Sequence, residues 1–178
     1  MAYTTPSTFV AGNVLTAAQM NAIQNNIRFF HGVPTASVNR NTAQSISNNT
    51  ITAIQFNSEV WDSNTIWSST ASNKFFARTA GKYLATFSLQ LTGSSAGTFR
   101  VAAIVKNATQ YAETSTMMEH TIGSTAIAAT VALSVTGIFS MTTSDYLTAQ
   151  VFQDTGGALN TSTQMRRRPK FQMLWVSS

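Results

Sequence analysis

The sequence contains no cysteine, so neither a disulfide framework nor thiol chemistry is available to this chain. Charged residues make up only 10% of the 178 residues, whereas a typical soluble domain has about a quarter. No apolar run approaches the ~18 residues that a membrane-spanning helix requires. The first ten residues also lack the basic start and the apolar segment of a signal peptide. We therefore expect no insertion into a membrane.

Acidic side chains are scarce, with six carboxylates against 11 Lys and Arg. Glu59 and Asp62 are close enough in sequence to suggest the carboxylate pair of a glycosidase, but "SEVWDSN" also has the composition of a surface loop whose Asp caps a turn. Glu119 and His120 could bind a metal ion if three copies met on an axis, and a solvated loop pair is the simpler interpretation. No common nucleophile, phosphate-loop or zinc motif is present. We expect no catalytic residue, no cofactor and no metal.

The basic residues do not form the long stripe, interleaved with aromatics, that is typical of nucleic-acid binding, although the net charge is +5. We therefore expect no specific nucleic-acid partner. Four basic side chains are concentrated in "RRRPK", at Arg166, Arg167, Arg168 and Lys170. In an extended chain neighbouring arginines point to opposite faces, and Pro169 favours a bend or a sheet edge. The cluster is either an anion-binding loop or a solvated loop whose charge prevents edge pairing.

Hydrophobic residues make up 43% of the chain, which is enough for a core, and Thr, Ser, Asn and Gln carry most of the polarity. From residue 36 onward, apolar and polar positions alternate, and Gly- or Ser-rich turns separate the alternating segments. The clearest strand is "GKYLATFSLQLTG", in which Tyr83, Ala85 and Phe87 share one face. The pattern predicts an all-β sandwich or jelly roll of about 8–10 strands.

One helix precedes these strands, in "LTAAQMNAIQNNIRFFHG". Thr16 is a suitable N-cap, and Gln19 three residues later completes a capping box. Gly32 and Pro34 provide the stop signals. We place the helix at about residues 17–31, within an N-terminal attachment arm of residues 1–34 that precedes a head domain of residues 35–178.

The apolar residues of this helix form a narrow stripe, which we call the stem stripe: Met20, Ile23, Ile27 and Phe30. The four positions fall within about 80° of the helix circumference, as in a coiled coil. Isolated helices shorter than ~12–15 residues are marginal in water, so the stripe needs a partner. The partner is either a second copy or another protein that receives the arm; the alternative is that the helix plugs one end of its own barrel.

The last strand, "KFQMLWVSS", is apolar on both faces. Phe171, Met173 and Trp175 lie on one face, and Leu174 and Val176 on the other. A strand with two apolar faces, in a protein whose other strands have one wet face, suggests a subunit interface on the second face.

The segment from Arg40 to Leu91 carries "Q-S-I-x-N-N-T" (44–50), "E-V-W-D" (59–62), Trp67 and "F-F-A-x-x-A-G-K-Y" (75–83). With these motifs it resembles bacteriophage members of the C1q/TNF-like head domains. "IVKN" (104–107), "SDYLTAQVFQ" (144–153) and "FQMLWV" (171–176) resemble later strands of that family, with Ser144 at a position where Gly is usual. The opening "F-V-A-G-x-x-L-T-A-A-Q-M-N-x-I-x-N-N-I-x-F-F" is similar to the start of many phage tail, fibre and virion proteins.

The resemblance implies a C1q/TNF-like jelly roll of ten strands that forms a homotrimer, with "A-G-K-Y" as a structural turn and no catalytic residue. It also implies aromatic packing between subunits near the three-fold axis. The residues expected at that interface are Tyr146, Phe152, Phe171, Met173 and Trp175.

We therefore expect a structural protein of a bacteriophage virion, assembled in the host cytoplasm. The leading hypothesis is a trimeric appendage of the tail-fibre or receptor-binding type, which other virion proteins of the tail or capsid hold through its N-terminal segment. A host surface glycan or another anionic polymer is a further candidate partner. The alternative is a capsid decoration protein or a head fibre or spike, and a polysaccharide-degrading enzyme ranks third.

Overall fold

The computed structural model describes residues 4–5, 8–107, 117–123 and 130–178. In these residues one α-helix precedes two antiparallel sheets that pack face to face. The elements are α1 (Ala17–His31), β1 (Thr35–Asn39), β2 (Ser45–Ile46), β3 (Thr52–Ala53), β4 (Ser58–Asp62), β5 (Phe75–Phe76), β6 (Gly81–Leu91), β7 (Phe99–Lys106), β8 (Met117–Gly123), β9 (Val131–Met141), β10 (Tyr146–Gln153), β11 (Leu159–Asn160) and β12 (Lys170–Ser177).

The helix begins and ends where the capping signals predict. The Thr16 hydroxyl accepts from the Gln19 amide at 3.3 Å, and the Gln19 side-chain oxygen accepts from the Thr16 amide at 2.9 Å, so the capping box is formed. At the other end the Gly32 amide donates to the Phe29 carbonyl at 3.0 Å.

The two sheets have different strand orders. The front sheet runs β4-β1-β12-β6-β9, and the back sheet runs β3-β10-β7-β8, with β5 also paired to β10. Strands β2 and β11 form a separate two-stranded ribbon. Within the described residues, eight strands have five or more residues and four have only two. The predicted all-β sandwich with one N-terminal helix is confirmed.

The core lies between the sheets because each long strand turns alternate side chains inward. Along β9 every second residue from Val131 to Met141 is buried and the residues between them are exposed. A group of aromatic rings fills the centre, where Phe75 stacks on Phe171 with ring centroids 3.9 Å apart and Phe56 packs edge-on against both. These contacts join the last strand to the chain segment before β6.

Gly81, the glycine of "A-G-K-Y", lies where the chain enters β6 with almost no space around it. Its φ is +145°, a conformation that L side chains rarely adopt. A Cβ atom at this position would lie 2.3 Å from the Ser177 carbonyl oxygen and 2.4 Å from Trp175 Nε1. The signature is therefore structural: it allows the end of β12 to lie directly against the start of β6.

Replacing this glycine should destabilise the head. We expect Gly81→Ala to lower the free energy of unfolding by about 2 kcal/mol or more, because it adds both backbone strain and a steric clash. Urea unfolding followed by fluorescence measures this loss. Gly156→Ala is the matched control, because Gly156 has a φ of +83° but open space around it. An equal loss in the two variants would show that the approach of Trp175 to Gly81 contributes nothing.

Candidate interaction surfaces and the arginine cavity

The aromatic residues predicted for a subunit interface on the last strand lie inside a single chain instead. Phe171, Met173 and Trp175 expose 0%, 1% and 5% of their surface, respectively. The Trp175 indole N–H donates to the Ala80 carbonyl at 3.1 Å. Assigning these three side chains to an interface is therefore wrong: they face the opposite sheet, so no surface is left for another subunit.

The second face of β12 does carry exposed apolar side chains. Leu174 and Val176 are 40% and 50% exposed. Leu174 is paired with Leu84 on β6, which in turn is paired with Ile138 on β9, so three apolar side chains lie in one row across the outer face of the front sheet. We define the front patch as the exposed or half-exposed apolar side chains on this face: Trp61, Leu84, Ile138, Leu174 and Val176.

The front patch borders an open groove. Trp61 on edge strand β4 reaches over the sheet, where its indole N–H lies 3.4 Å from the Thr35 hydroxyl. The groove has a volume of about 270 Å³ and is lined in part by Trp61, Leu84 and Leu174. Next to it Thr86 and Thr136 form a hydroxyl pair at 3.2 Å. An apolar row with a polar border is typical of a protein–protein contact.

Sequence reasoning missed Leu84 and Ile138, although a signal was present. Each is a single large apolar residue on a strand face otherwise made of small or polar residues. On β6 the other members of that face include Thr86 and Ser88, and on β9 they include Thr136. That both lie at the same level of the sheet follows from the strand register, which only the tertiary structure provides.

Tyr146 and Phe152 lie on the back sheet, away from the front patch. Lys74 Nζ lies 4.4 Å from the centre of the Tyr146 ring. Phe152 lines an apolar cavity of about 230 Å³ together with Ile51, Phe99 and Val101. The structure therefore does not bring the five predicted interface residues together on one surface. For Tyr146 and Phe152, a role between subunits stays a prediction.

The stem stripe remains largely exposed. Met20, Ile27 and Phe30 are 53%, 53% and 59% exposed, and Ile23 is half-buried. The side chain that meets the head is Phe29, which sequence reasoning missed and whose ring packs edge-on against Trp175 with centroids 4.8 Å apart. The helix therefore does not plug the sandwich with its apolar stripe, most of which remains in contact with water.

The N-terminal segment folds back along the helix. The Asn26 side chain accepts from the Thr4 amide at 3.0 Å and donates to the Thr4 carbonyl at 2.7 Å, which explains why this polar residue is buried. The residues between carry further exposed apolar side chains, Phe9, Val10, Val14 and Leu15. Together with the stem stripe they form an extended apolar surface on the arm.

The three consecutive arginines lie in a turn, not in an extended strand. The amides of Arg167 and Arg168 both donate to the Gln164 carbonyl at 2.8 Å, and the Arg167 carbonyl accepts from the Gln90 amide at 2.9 Å. The chain is thus bent before Pro169, and the opposite-facing arrangement of an extended chain does not apply. Arg166, Arg167 and Arg168 all line one cavity of about 230 Å³ over β6 and β9.

Lys170 belongs to the same region. It is the first residue of β12 and is paired with Ser88 on β6, which also lines the cavity. Its neighbour Phe171 faces the core, so Lys170 lies on the outer face. The fold thus brings all four predicted basic residues to one end of the front sheet. We call the cavity lined by the three arginines the arginine cavity.

Of the two carboxylates that the sequence offered for catalysis, Asp62 accepts hydrogen bonds from backbone amides and Glu59 does not share in them. Asp62 Oδ1 accepts from the amides of Asn64 and Ile66 at 3.0 Å, and Oδ2 accepts from the Trp67 amide at 2.8 Å. Glu59 is exposed on edge strand β4. Asp62 therefore holds a loop in place, as the turn-cap interpretation predicts.

Two other aspartates have similar structural roles. The Thr142 amide, followed by the side chains of Asn107 and Lys106, holds the pKa of Asp145 well below its usual value. Lys106 Nζ lies 3.0 Å from the Asp145 carboxylate. Burial raises the pKa of Asp154, but hydrogen bonds from Thr98 and the Phe99 amide outweigh it, so the net shift is downward. Both groups are thus held as ionised acceptors in turns.

The proposed Glu119–His120 metal pair lies outside the residues whose side chains the structure describes. Elsewhere in the described part of the chain, no group of three or more metal-binding side chains is close enough to hold an ion. No helix among the described residues is long and apolar enough to cross a membrane.

Comparison with solved structures identifies the fold. The globular domain of zebrafish complement 1qA protein superposes with a TM-score of 0.55 at 13% identity, over 80% of this chain and 97% of that one. Murine APRIL gives a TM-score of 0.55 at 11% identity, over 80% and 98% of the two chains. Eiger TNF from S. frugiperda gives 0.58 at 12% identity, over 83% and 95%.

The chain has the C1q/TNF-like jelly-roll fold, with one helix added before it. The sequence itself matches no protein-family model and no curated protein. Domains with this fold are typically non-enzymatic and typically form trimers.

Proposed function

We propose that this protein is a non-enzymatic structural component of a bacteriophage virion, a homotrimeric appendage of the tail-fibre or receptor-binding type. One observation carries the proposal: a C1q/TNF-like head and its N-terminal arm each present an exposed apolar surface. The front patch is the contact between the three heads. The arm, with its stem stripe, is the contact with the rest of the particle.

The front patch supports trimer formation because it lies at the centre of a regular sheet. Leu174 belongs to the central strand β12 and Leu84 to its neighbour β6, and Ile138 continues the row to the edge strand β9. Association of three copies through this face would remove the row from water. The described part of the head has a second exposed apolar site, the cavity beside Phe152 at one end of the back sheet.

The arm supports attachment because several of its large apolar side chains do not pack against the head. Phe29 packs on Trp175, while the stem stripe and the preceding segment keep large apolar side chains in water. Burial of one such side chain is worth about 1.5–3 kcal/mol, so a groove that accepts several of them would hold the arm firmly. That groove belongs to another virion protein, and the stripe also allows the three helices to pack together at the point of attachment.

The resemblance of residues 40–91, and of the opening segment, to phage virion proteins supports the assignment to a phage particle. Assembly then takes place in the host cytoplasm, and the heads face outward. The carboxylates bound in turns at Asp62, Asp145 and Asp154 support a structural rather than a hydrolytic role.

The test is to locate the chain in purified particles by electron microscopy, with labelled antibody and density-based copy counting. An appendage at the tail, together with specific binding of the isolated trimer to host cells, is the expected result. Many copies distributed over the shell, with no binding to cells, would assign the chain to capsid decoration instead. Absence of the chain from purified particles would contradict both assignments.

Charges on the stem stripe should prevent attachment without affecting the head. We expect Ile23→Asp combined with Ile27→Asp to reduce incorporation into particles at least tenfold, because the partner groove would have to bury two carboxylates. Quantitative blotting of purified particles measures incorporation, and circular dichroism checks the head. The matched control, Asn21→Asp with Gln24→Glu, adds the same charge at exposed polar positions of the helix. Equal incorporation of the two variants would exclude the stripe as the attachment surface.

A further inference from the structure

The arginine cavity has an unusual balance of donors and acceptors. Arg166, Arg167 and Arg168 line it, and none of their guanidinium groups makes a hydrogen bond or an ion pair with any other described residue. The one ion pair within the described part of the chain joins Lys106 to Asp145, which do not line the cavity.

One N–H donor of these guanidinium groups is already removed from water. Arg168 is half-buried, and its Nε is inaccessible to solvent and lacks an acceptor. A buried N–H group normally finds a partner, because leaving it unpaired forfeits the hydrogen bond that water would provide. The folded chain therefore leaves one donor of Arg168 without an acceptor, beside two further arginines whose guanidinium groups the described residues do not pair.

The backbone of the turn holds the three side chains in place. Besides the hydrogen bond from the Gln90 amide to Arg167, the Gln90 carbonyl accepts from the Ser162 amide at 2.8 Å, and the Pro169 carbonyl accepts from the Arg40 amide at 2.9 Å. The turn is thus fastened to β6 on one side and to the end of β1 on the other. A fastened loop presents its side chains at lower entropic cost than a free loop does.

The rest of the lining is neutral and small. Ser88 and Gln90 come from β6 and Ser134 from β9, with the backbone of adjacent apolar residues between them. Among the described residues no carboxylate lines the cavity, and Lys170 lies beside Ser88 on the same outer face. Three positive charges in one concave site, with a fourth nearby, attract anions.

We propose that the arginine cavity is an oxyanion-binding site that takes a phosphate or sulfate group. Guanidinium groups bind tetrahedral oxyanions through paired N–H donors. A doubly charged anion also neutralises more of the positive charge of three arginines than a single carboxylate does. The group is either a free ion or a substituent on a polymer at the host surface. Binding requires only the folded head, so it can fail while the chain is still found in the particle, and the reverse is also true.

The cavity lies apart from the front patch. Leu84 of the patch and Ser88 of the cavity are four residues apart on β6, which corresponds to about 13 Å along the strand. An occupant of the cavity therefore does not need to displace the apolar row.

The site is tested on the full-length protein by isothermal titration calorimetry with sodium phosphate and with sodium sulfate, using sodium chloride at equal ionic strength as the reference. We expect saturable binding of one ion per chain. Arg168→Gln should weaken it about tenfold or more, as the loss of a charge-assisted hydrogen bond predicts. Arg28→Gln is the matched control, because it removes the same charge from an exposed position on the helix, and it should leave the affinity unchanged.

A second variant tests whether binding requires the guanidinium group itself or only a positive charge at position 168. Arg168→Lys keeps the charge but removes Nε and the planar fork, and we expect it to bind as weakly as Arg168→Gln. Sulfated dextran, compared with uncharged dextran, distinguishes the two sources of the group: tighter binding that depends on Arg168 indicates a polymer, and binding of the small ions alone indicates a free ion. Absence of saturable binding for all these probes, or full affinity in Arg168→Lys, would overturn the proposal.

Discussion

Replacing Leu174 with aspartate should convert the proposed trimer into a folded monomer. Leu174 is the β12 member of the apolar row, with Thr35 of β1 on one side and Leu84 of β6 on the other, and its side chain is directed away from the core. Three copies would place three carboxylates in the contact. At about 3 kcal/mol for each desolvated ion, the assembly would lose about 9 kcal/mol, or about six orders of magnitude in its association constant. Sedimentation velocity at micromolar concentration measures the change.

The control for this variant is Phe99→Asp on the back sheet. Phe99 is 50% exposed and lies beside Phe152, so it belongs to the other exposed apolar site of the head. We expect Phe99→Asp to remain trimeric. If Phe99→Asp dissociates while Leu174→Asp stays assembled, the subunits meet through the back sheet, and Phe152 regains the role that the sequence suggested. A wild-type chain that is monomeric at micromolar concentration would exclude trimer formation through either face.

Replacing Phe171 with alanine should destabilise the fold itself. The Phe171 side chain is fully buried, stacks on Phe75 at 3.9 Å and contacts Phe56, so its removal leaves a cavity that the two neighbouring rings cannot fill. Substitutions of this kind cost about 3–5 kcal/mol, a large fraction of the stability of a single domain. We expect a matching decrease in the free energy of unfolding in urea, measured at one fixed protein concentration because the assembly contributes to it.

Leu174→Ala serves as the matched control for Phe171→Ala. The two residues are three positions apart on the same strand but face opposite sides of the sheet. We expect Leu174→Ala to weaken association while changing the stability of the isolated monomer little. If Phe171→Ala instead gives a stable monomer and Leu174→Ala unfolds, the two faces of β12 have been assigned in the wrong order.

The ends of the N-terminal helix can be predicted from neighbouring residues alone. Thr16 and Gln19 form a capping box from residues three positions apart, so the bonds that begin the helix are encoded within a single turn. The same holds for alternation along β9, where every second residue from Val131 to Met141 is buried. Such features require no knowledge of distant residues, and the sequence predicts them correctly.

The choice between the two faces of β12 has a different physical basis. Both faces are apolar, so alternation shows that one is in the core without showing which. Phe171 takes the core face because Phe56 and Phe75, about a hundred residues earlier, provide rings against which it packs. The interface prediction named Phe171, Met173 and Trp175 on this strand, but these large side chains fill the core, and Leu174 and Val176 occupy the exposed face.

The arginine cavity was likewise beyond the reach of a local pattern. The sequence shows three consecutive arginines and a proline, and an extended chain would separate their side chains. Hydrogen bonds from the turn to Gln164 and Gln90 bring the three to one side. Because the Gln90 partner lies on another strand, the charge cluster becomes a cavity only in the folded chain.

The sequence by itself determined the helix and its ends, the alternating strands, the all-β class and the scarcity of groups for chemistry, because each of these depends on neighbours within a turn or a strand. The tertiary structure decided which side of the last strand is buried, that Leu84 and Ile138 extend Leu174 into one row, and that three arginines share a cavity. The physical reason is that faces and cavities arise from strand register and sheet order. Both are set by contacts between residues far apart in the chain.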